Sequence, residues 1–385
     1  MKALKSLLAC TLFLAATTLQ AQDILIRNAT VHTMDKAGVL ENTDVSISSG
    51  KIRQIGKDLS EPQDGQVIEA DGKPLTPGFF AGISNIGITE VSAVDESVDA
   101  GLAFKEMRPE FDVVPAYNPN SSLVPVTRIQ GFSFTLLEAG AKGTIFGGQG
   151  RMVALDGGYK SVFGQPVLFV NIGRDASQLS GESRAGQWML LTQAMAEAAT
   201  PPPAGTPTLL TRAGRNTLAA FANSGKVVFD VDRASDILQT LEFARNHKLD
   251  AVIKGGAEAW MVADQVVKAG APVLLDPLSN LPANFDTLGA RLDNAAILHA
   301  AGVTVAITGA GSHNARNQRQ MAGNAVSYGL PHEAGIAALT RNPASIFGVT
   351  DQQGSIQKGM PANVVLWSGD PLELTTAAEV VVING

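Results

Sequence analysis

Three charged side chains lie where successive apolar segments of the sequence end. Asp230, Lys254 and Asp276 each stand at or just beyond a short aliphatic run typical of a buried β-strand, and Glu258 follows closely behind Lys254. If these strands are parallel, their carboxyl ends meet at one edge of the sheet and the four side chains face one cleft. Carboxylates and a lysine can transfer protons there if burial shifts their pKa values. The alternative is an ion-pair network that only closes the top of the fold.

A second candidate group lies on the loop that follows the last of these strands, Gly309–Arg319. His313 and Arg316 are three residues apart, so a helical turn would place them on one face. An imidazole and a guanidinium together suit an anionic carboxylate group on a ligand. The other histidines are interpreted as structural, packing or solvated residues: His32, His247, His299 and His332.

The glycine-rich segment Gly143–Gly150 could present backbone N–H groups to an anion, although a plain tight turn explains it as well. The formal net charge of −7, with both signs scattered along 385 residues, indicates no nucleic-acid partner and no anionic membrane partner. The expected partner is a small-molecule substrate or ligand, and the oligomeric state is left open.

The N-terminus has the pattern of a secretory signal peptide. Lys2 and Lys5 precede an apolar run, Leu7–Ala16, and Ala21 is a small residue suited to cleavage. We therefore expect residues 1–21 to be removed and the mature protein to be periplasmic or secreted. The single cysteine, Cys10, lies inside this signal, so the mature chain would have no disulfide and no thiolate. No later segment is apolar for long enough to span a bilayer.

Residues 22–74 predict short β-strands, and strands return in residues 349–385 at Gly354–Ile356, Asn363–Trp367 and Val380–Ile383. Between them, residues 75–348 alternate short apolar strands with the helical segments Arg184–Ala199, Ala234–His247 and Arg291–Ala301. Seven or eight such units predict an α/β fold, a TIM-like (β/α)8 barrel. An open, doubly wound sheet is the alternative, although no glycine-rich dinucleotide motif supports it. The predicted barrel strands are Pro77–Ile83, Phe132–Leu137, Val167–Ile172, Val227–Val231, Ala251–Ile253, Pro272–Leu275 and Thr304–Thr308, with Met152–Leu155 as a further candidate.

Three segments of the chain resemble the amidohydrolase superfamily, in particular its exported, imidazolonepropionase-like members. They are Ile24–Gly78, Leu330–Gly348 (LPHEAGIAALTRNPASIFG) and Gly354–Asp370 (GSIQKGMPANVVLWSGD). The resemblance implies a barrel domain, residues 75–348, flanked by a small β-sandwich built from residues 22–74 and 349–385.

The resemblance also implies one or two divalent metals, usually zinc, at the carboxyl end of the barrel. Members of the usual kind hold them with a His-x-His pair on the first barrel strand and an Asp after the last. Here the matching positions are Ile83, Asn85 and Gly309. Because an isoleucine and a glycine supply no ligand and a neutral amide is a poor one, we expect no tightly bound transition metal and no cofactor.

The resemblance implies a periplasmic hydrolase of carbon–nitrogen bonds other than peptide bonds, with a cyclic amide as one possible substrate. Without the usual ligands, we expect Asp230 or Asp276 to act as base, with Lys254, His313 or Arg316 stabilising the oxyanion. The competing hypothesis is a catalytically inactive barrel that binds a small molecule or a protein partner.

Overall fold

The structure is a computed structural model that describes residues 23–103, 106–140, 144–174, 176–223, 225–309 and 311–385. The predicted signal peptide, its cleavage point near Ala21 and Cys10 lie outside these residues. Within the described ranges, no helix is long and apolar enough to cross a membrane.

The described strands and helices follow each other in an order that begins and ends with β-structure. The strands are β1 (Asp23–His32), β2 (Val39–Ser48), β3 (Lys51–Gly56), β4 (Gly65–Glu69), β5 (Pro74–Pro77), β6 (Phe79–Ser84), β7 (Phe132–Leu137), β8 (Phe146–Ala154), β9 (Val162–Asn171), β10 (Lys226–Val231), β11 (Asp250–Gly255), β12 (Val273–Leu275), β13 (Val305–Ile307), β14 (Val364–Trp367) and β15 (Ala378–Val382). The helices are α1 (Leu123–Arg128), α2 (Arg184–Ala199), α3 (Arg212–Phe221), α4 (Ala234–His247), α5 (Ala263–Ala269), α6 (Asn294–Ala301), α7 (Gln318–Ser327), α8 (His332–Ala338) and α9 (Arg341–Ile346).

Strands from both ends of the chain form one seven-stranded sheet. Its order is β15-β14-β5-β1-β2-β3, with β4 paired to β1 beside β5. The C-terminal part contributes only β14 and β15, too few strands for independent stability, so β14 completes its pairing on β5 of the N-terminal part. The fully buried Trp367 of β14 donates a hydrogen bond from Nε1 to Thr76 Oγ1 (2.8 Å) and packs on Phe79, which joins this sheet to the barrel.

The predicted strand Gly354–Ile356 is not formed. Ile356 is instead buried in the core of the first sheet, and its N–H donates to the carbonyl of Thr33 (2.9 Å) in the turn after β1. One satisfied N–H in an otherwise irregular segment is enough to bury this side chain without a strand.

The second sheet has eight strands in the order β13-β12-β11-β10-β9-β8-β7-β6. It departs from a uniform (β/α)8 barrel because β8 runs antiparallel to both β7 and β9. The connecting segments, residues 138–145 and 155–161, are shorter than the dozen or more residues that a parallel crossover needs. The other seven strands run parallel to one another, so their carboxyl ends share one rim, which we call the mouth.

The edge strands β6 and β13 meet through side-chain hydrogen bonds. The N–H of Ile83 donates to Thr308 Oγ1 (3.0 Å), and the N–H of Asn85 donates to Ser312 Oγ (2.8 Å). These contacts bring the two ends of the sheet together, so the barrel is nearly closed.

Alternation along the strands separates the inside of the barrel from its outside. One face packs under the helices, whereas the other contributes an apolar floor inside the barrel. This floor is formed by Phe134, Phe169, Val228, Val252, Leu274 and Ala306.

Candidate active site

A polar layer lies directly above the apolar floor. Because side chains two positions apart on a strand point the same way, the residue two after each floor residue also faces the interior, closer to the mouth. On four neighbouring strands this pairs Val228 with Asp230, Val252 with Lys254, Leu274 with Asp276, and Ala306 with Thr308. The predicted side chains Asp230, Lys254 and Asp276 therefore occupy one layer of the barrel.

Lys254 is the cation at the centre of this layer. Its Nζ lies 2.9 Å from Asp230 Oδ2 on the neighbouring strand β10, and it also pairs with Glu138, which follows β7 on the far side of the barrel. Burial lowers the pKa of Lys254, but the two carboxylates outweigh that effect and raise the pKa above its usual range. The lysine is held as an ammonium, and two of its three protons are directed to these carboxylates.

Asp232 is a site residue that the sequence analysis missed. It follows β10 on the same side as Asp230, and its Oδ1 accepts a hydrogen bond from the N–H of Ala257 (3.1 Å). A Cβ on Gly255 would lie 2.6 Å from that oxygen, so the carboxylate sits closely against the backbone of β11. Burial is the largest cause that raises the pKa of Asp232 to about 6, and the charges of Asp230 and Asp286 add to it. The Asp-x-Asp spacing at the end of an apolar strand was the available signal.

Asp276 lies against the position where the resemblance implies a metal-binding aspartate. Gly309 has φ of 140°, and a Cβ placed there would lie 2.6 Å from Asp276 Cβ and 2.9 Å from its Oδ2. Any side chain at residue 309 would therefore displace Asp276. Burial raises the pKa of Asp276, although the N–H groups of Leu278 and Ser279 oppose the shift.

The residues at the mouth do not fit a divalent metal of the kind that the resemblance implies. Ile83 offers only a backbone N–H, and that group already donates to Thr308. The Oδ1 of Asn85 is buried without a hydrogen-bond partner among the described residues, but a single neutral amide oxygen is a poor ligand for a transition metal. In the described part of the chain no three His, Cys, Asp or Glu side chains converge as a metal site.

Glu258 has a structural role at the mouth. Its carboxylate accepts the N–H of Ala234 at the start of α4 (2.9 Å) and the N–H of Gly289 (3.0 Å). It therefore caps a helix and ties two loops of the mouth together. Arg184 plays a comparable part by pairing with Asp236 (2.7 Å) and with Asp286.

His313 and Arg316 lie on a 3-10 turn, Ser312–Asn317, and both side chains are exposed. Arg316 Nη1 donates to the carbonyl of His313 (2.6 Å), so one nitrogen of the Arg316 guanidinium is already hydrogen-bonded within the turn. No contact among the described residues brings this pair to Lys254 or Asp232, and its role in ligand binding stays a prediction.

Three of the other histidines have packing or ion-pair partners, whereas His299 is exposed on α6. His32 Nδ1 lies 3.0 Å from Glu333 Oε1, His332 Nε2 lies 2.9 Å from Asp370 Oδ2, and the His247 ring packs on Phe243. The glycine-rich segment is not a loop over its described second half, because Phe146–Gly150 forms the start of β8. Gly143 lies outside the described residues.

A cavity of about 760 Å³ lies at the opposite end of the barrel from the charged layer. It is bordered by the amino ends of β9, β10 and β11, by the end of α3 and by Phe347 after α9. Its walls carry one lysine–aspartate pair together with neutral amide and hydroxyl side chains.

Comparison with known proteins gives both a sequence match and a shared fold. A family model described as "Amidohydrolase family" matches residues 296–385. The amidohydrolase tasK of Hapsidospora irregularis is 36% identical over 72 residues, which are 19% of this chain and 7% of that protein. The chain thus spans a small part of this curated relative's length.

Solved structures resemble the chain over most of its length. An amidohydrolase from Thermotoga maritima has a TM-score of 0.83 at 23% identity and covers 94% of this chain and 98% of its own. Molinate hydrolase has a TM-score of 0.59 at 14% identity, covering 95% and 94%. An adenosine deaminase from Xanthomonas campestris with bound zinc has a TM-score of 0.51 at 16% identity, covering 90% and 84%. At these identities the likeness concerns the fold alone, whereas the sequence match to the amidohydrolase family model covers residues 296–385.

Proposed function

We propose that this protein hydrolyses carbon–nitrogen bonds other than peptide bonds, and that it does so without a tightly bound transition metal. The observation that carries the proposal is the ammonium of Lys254, held in the barrel mouth by Glu138 and Asp230 beside the carboxyl group of Asp232. The resemblance to imidazolonepropionase-like proteins supports a cyclic amide as a substrate to test first.

The reaction that this geometry supports is attack of water on an amide carbonyl. Asp232, ionised above a pKa of about 6, takes a proton from water as the oxygen bonds to the carbonyl carbon. The carbonyl π electrons move to the oxygen, and the third N–H of Lys254 stabilises that oxyanion. When the C–N bond breaks, the proton on Asp232 passes to the leaving nitrogen, which gives an amine and a carboxylic acid.

The other predicted site residues have separate places in this proposal. Asp230 and Glu138 hold Lys254 in position, and Asp276, which follows the neighbouring strand β12, is the candidate to bind the leaving nitrogen. His313 and Arg316 stay candidates for a carboxylate group at the edge of the mouth, since both are exposed on the loop after β13.

The alternative is a catalytically inactive barrel that binds a small molecule or a protein partner. The observation in its favour is that Ile83, Asn85 and Gly309 supply no metal-ligand set at the mouth. A protein that retained the fold but lost hydrolysis would have the same substitutions.

Hydrolysis after metal removal tests the proposal. The mature chain is treated with a strong chelator, desalted, checked by elemental analysis and assayed on lactams, hydantoins and dipeptides. We expect turnover of one of the cyclic amides at a metal content far below stoichiometric, and turnover about 10²-fold slower by Asp232→Asn purified in parallel. Activity that vanishes with chelation and returns with zinc would overturn the metal-free mechanism. No turnover on the whole panel would favour the inactive barrel.

We also propose that the chain is exported. The support is the order of charged, apolar and small residues in positions 1–21. Mass analysis of protein from a periplasmic extract should give a mature N-terminus near Gln22, whereas cytoplasmic protein that begins at Met1 would contradict export.

A further inference from the structure

The long segment after β12, residues 276–293, exposes large apolar side chains at the barrel mouth. It contains no helix or strand, and it begins at Asp276 of the polar layer. Leu281 is 71% exposed and Phe285 is 83% exposed, and Leu278 and Leu288 are exposed as well. We call these four side chains the apolar rim. Several exposed apolar side chains on one short segment are unusual on a soluble surface and mark ligand or partner sites.

The segment that carries the rim is anchored at several points. Asp286 accepts the N–H of Arg174 (2.9 Å) and pairs with Arg184, which binds the middle of the segment to the barrel. Trp260 Nε1 donates to the carbonyl of Gly289 (2.8 Å), and Arg291 stacks over the Trp260 ring at 4.6 Å. The rim side chains are therefore held outward by an ordered backbone.

The anchors also place the rim beside the charged layer. Asp286 reaches residues that follow β9, whereas the segment itself starts at β12. In the sheet β11 and β10 lie between these two strands, so the segment spans the carboxyl ends that bear Lys254 and Asp232. The charge of Asp286 is one of the causes that raise the pKa of Asp232, which agrees with this proximity.

The charge of the layer restricts what can lie under the rim. Glu138 and Asp230 both pair with the Lys254 ammonium, so two negative charges face one positive charge and a substrate that carries its own anionic group beside the scissile bond is disfavoured. An uncharged ligand with an apolar part satisfies both surfaces, because its polar group meets the layer and its apolar part covers the rim.

We infer that the site takes amides that carry a bulky apolar group and no charge beside the scissile bond, and that Leu281 and Phe285 bind the apolar group. This inference rests on the proposed hydrolysis and names its substrate class. It makes the two side chains specificity-determining residues that take no part in the bond-breaking step.

The first arm of the test measures kcat/KM for the 4-nitroanilides of acetic, butyric and hexanoic acids. In the wild type each added methylene that becomes buried should raise kcat/KM by up to about fourfold. In Leu281→Ser/Phe285→Ser this dependence on chain length should be lost, while the rate on the acetyl compound changes less than about twofold. Leu374→Ser is the matched control, since Leu374 is 77% exposed between β14 and β15, on the other sheet.

The second arm uses the uncharged fluorescent probe N-phenyl-1-naphthylamine and needs no turnover. Its Kd should rise at least about fivefold in the double variant and stay unchanged in Leu374→Ser. If neither an anilide nor a cyclic amide is hydrolysed but probe binding depends on the rim, the rim stands as a ligand surface and the proposed hydrolysis fails. If hydrolysis keeps its chain-length dependence in the double variant, the inference is wrong while the hydrolysis stands. A wild-type dimer that the double variant converts to monomer in sedimentation would make the rim a self-interface, and would also overturn the inference.

Discussion

The strands β10 and β11 are joined at both ends by a lysine–aspartate pair. At their amino ends Lys226 faces Asp250 (2.5 Å), and at their carboxyl ends Lys254 faces Asp230 (2.9 Å). Both pairs are direct cross-strand neighbours in the same register, and the two lysine side chains are similarly accessible. The pairs differ in what else reaches them.

Among the described residues, only the carboxyl-end pair receives a group from across the barrel. Glu138 reaches Lys254 from β7, and Asp232, with its raised pKa, stands beside them. The amino-end pair borders a cavity whose other polar side chains are neutral amides and hydroxyls. A lysine–aspartate pair on adjacent strands is thus ordinary sheet chemistry, and convergence from distant strands is what makes the mouth a candidate site.

Removing the ammonium of Lys254 should give the largest effect. Lys254→Met leaves Glu138 and Asp230 facing each other, so we expect a loss on the order of 3 kcal/mol in the free energy of unfolding. The loss of the oxyanion partner should lower kcat by about 10²–10³-fold. Denaturant unfolding and steady-state kinetics measure the two effects.

A compensated variant separates stability from catalysis. In Glu138→Gln/Asp230→Asn/Lys254→Met no unpaired charge remains, so most of the stability should return while the activity stays absent. Activity near the wild-type level in this variant would show that the ion cluster only closes the barrel.

Changing Asp232 to Asn should lower kcat by about 10²-fold, because the proton acceptor is lost. In the wild type, kcat/KM should rise with pH through about 6, as Asp232 ionises. A pH–rate profile without a transition near that value would contradict its role as base.

The stability of the same variant gives a second measurement. The folded pKa of about 6 exceeds the unfolded value of 3.8, so Asp232 stabilises the fold fully below pH 3.8, and this contribution is lost as pH rises through 6. The loss is at most about 3 kcal/mol. Asp232→Asn should therefore be more stable than the wild type at pH 8 and gain little at pH 4.

Substitution of Gly309 should have an intermediate effect confined to the mouth. Gly309→Ala places a Cβ at a φ of 140° and within 2.6 Å of Asp276 Cβ, and we expect a cost of about 1–3 kcal/mol. Gly302→Ala is the control, because Gly302 also has a positive φ (96°) but meets nothing within 4 Å. Equal costs at both positions would show that Asp276 moves aside easily.

Exchange of the amino-end pair should give the smallest effect. In Lys226→Asp/Asp250→Lys the pair is reversed but kept, so stability should change by less than about 1 kcal/mol and activity should stay at the wild-type level. A large loss of activity would mean that the two ends of β10 and β11 are not functionally distinct.

Local pattern predicted several elements closely. Helices α2 and α4 and strand β7 begin and end at the expected residues, because each carries a full helical or strand pattern bounded by residues that end it. The pattern predicts that α6 begins at Arg291, but the helix begins at Asn294. Arg291 lies before the helix, where it pairs with Asp293. The sequence also does not predict that β8 runs antiparallel to its neighbours, because a short apolar segment has the same pattern in either strand direction.

The sequence by itself determined the resemblance to amidohydrolases, the candidates Asp230, Lys254 and Asp276, and the unsuitable residues at the expected ligand positions. These predictions depend only on residue type and on the spacing of residues along one strand, and both can be read directly from the sequence. The tertiary structure alone decided that Glu138 reaches Lys254 and that Asp276 fills the space beside Gly309. It also decided that residues 276–293 lie across the mouth, and with them Leu281 and Phe285. Each of these contacts joins elements far apart in the sequence. Their side chains come close in space only because the sheet curves into a nearly closed barrel.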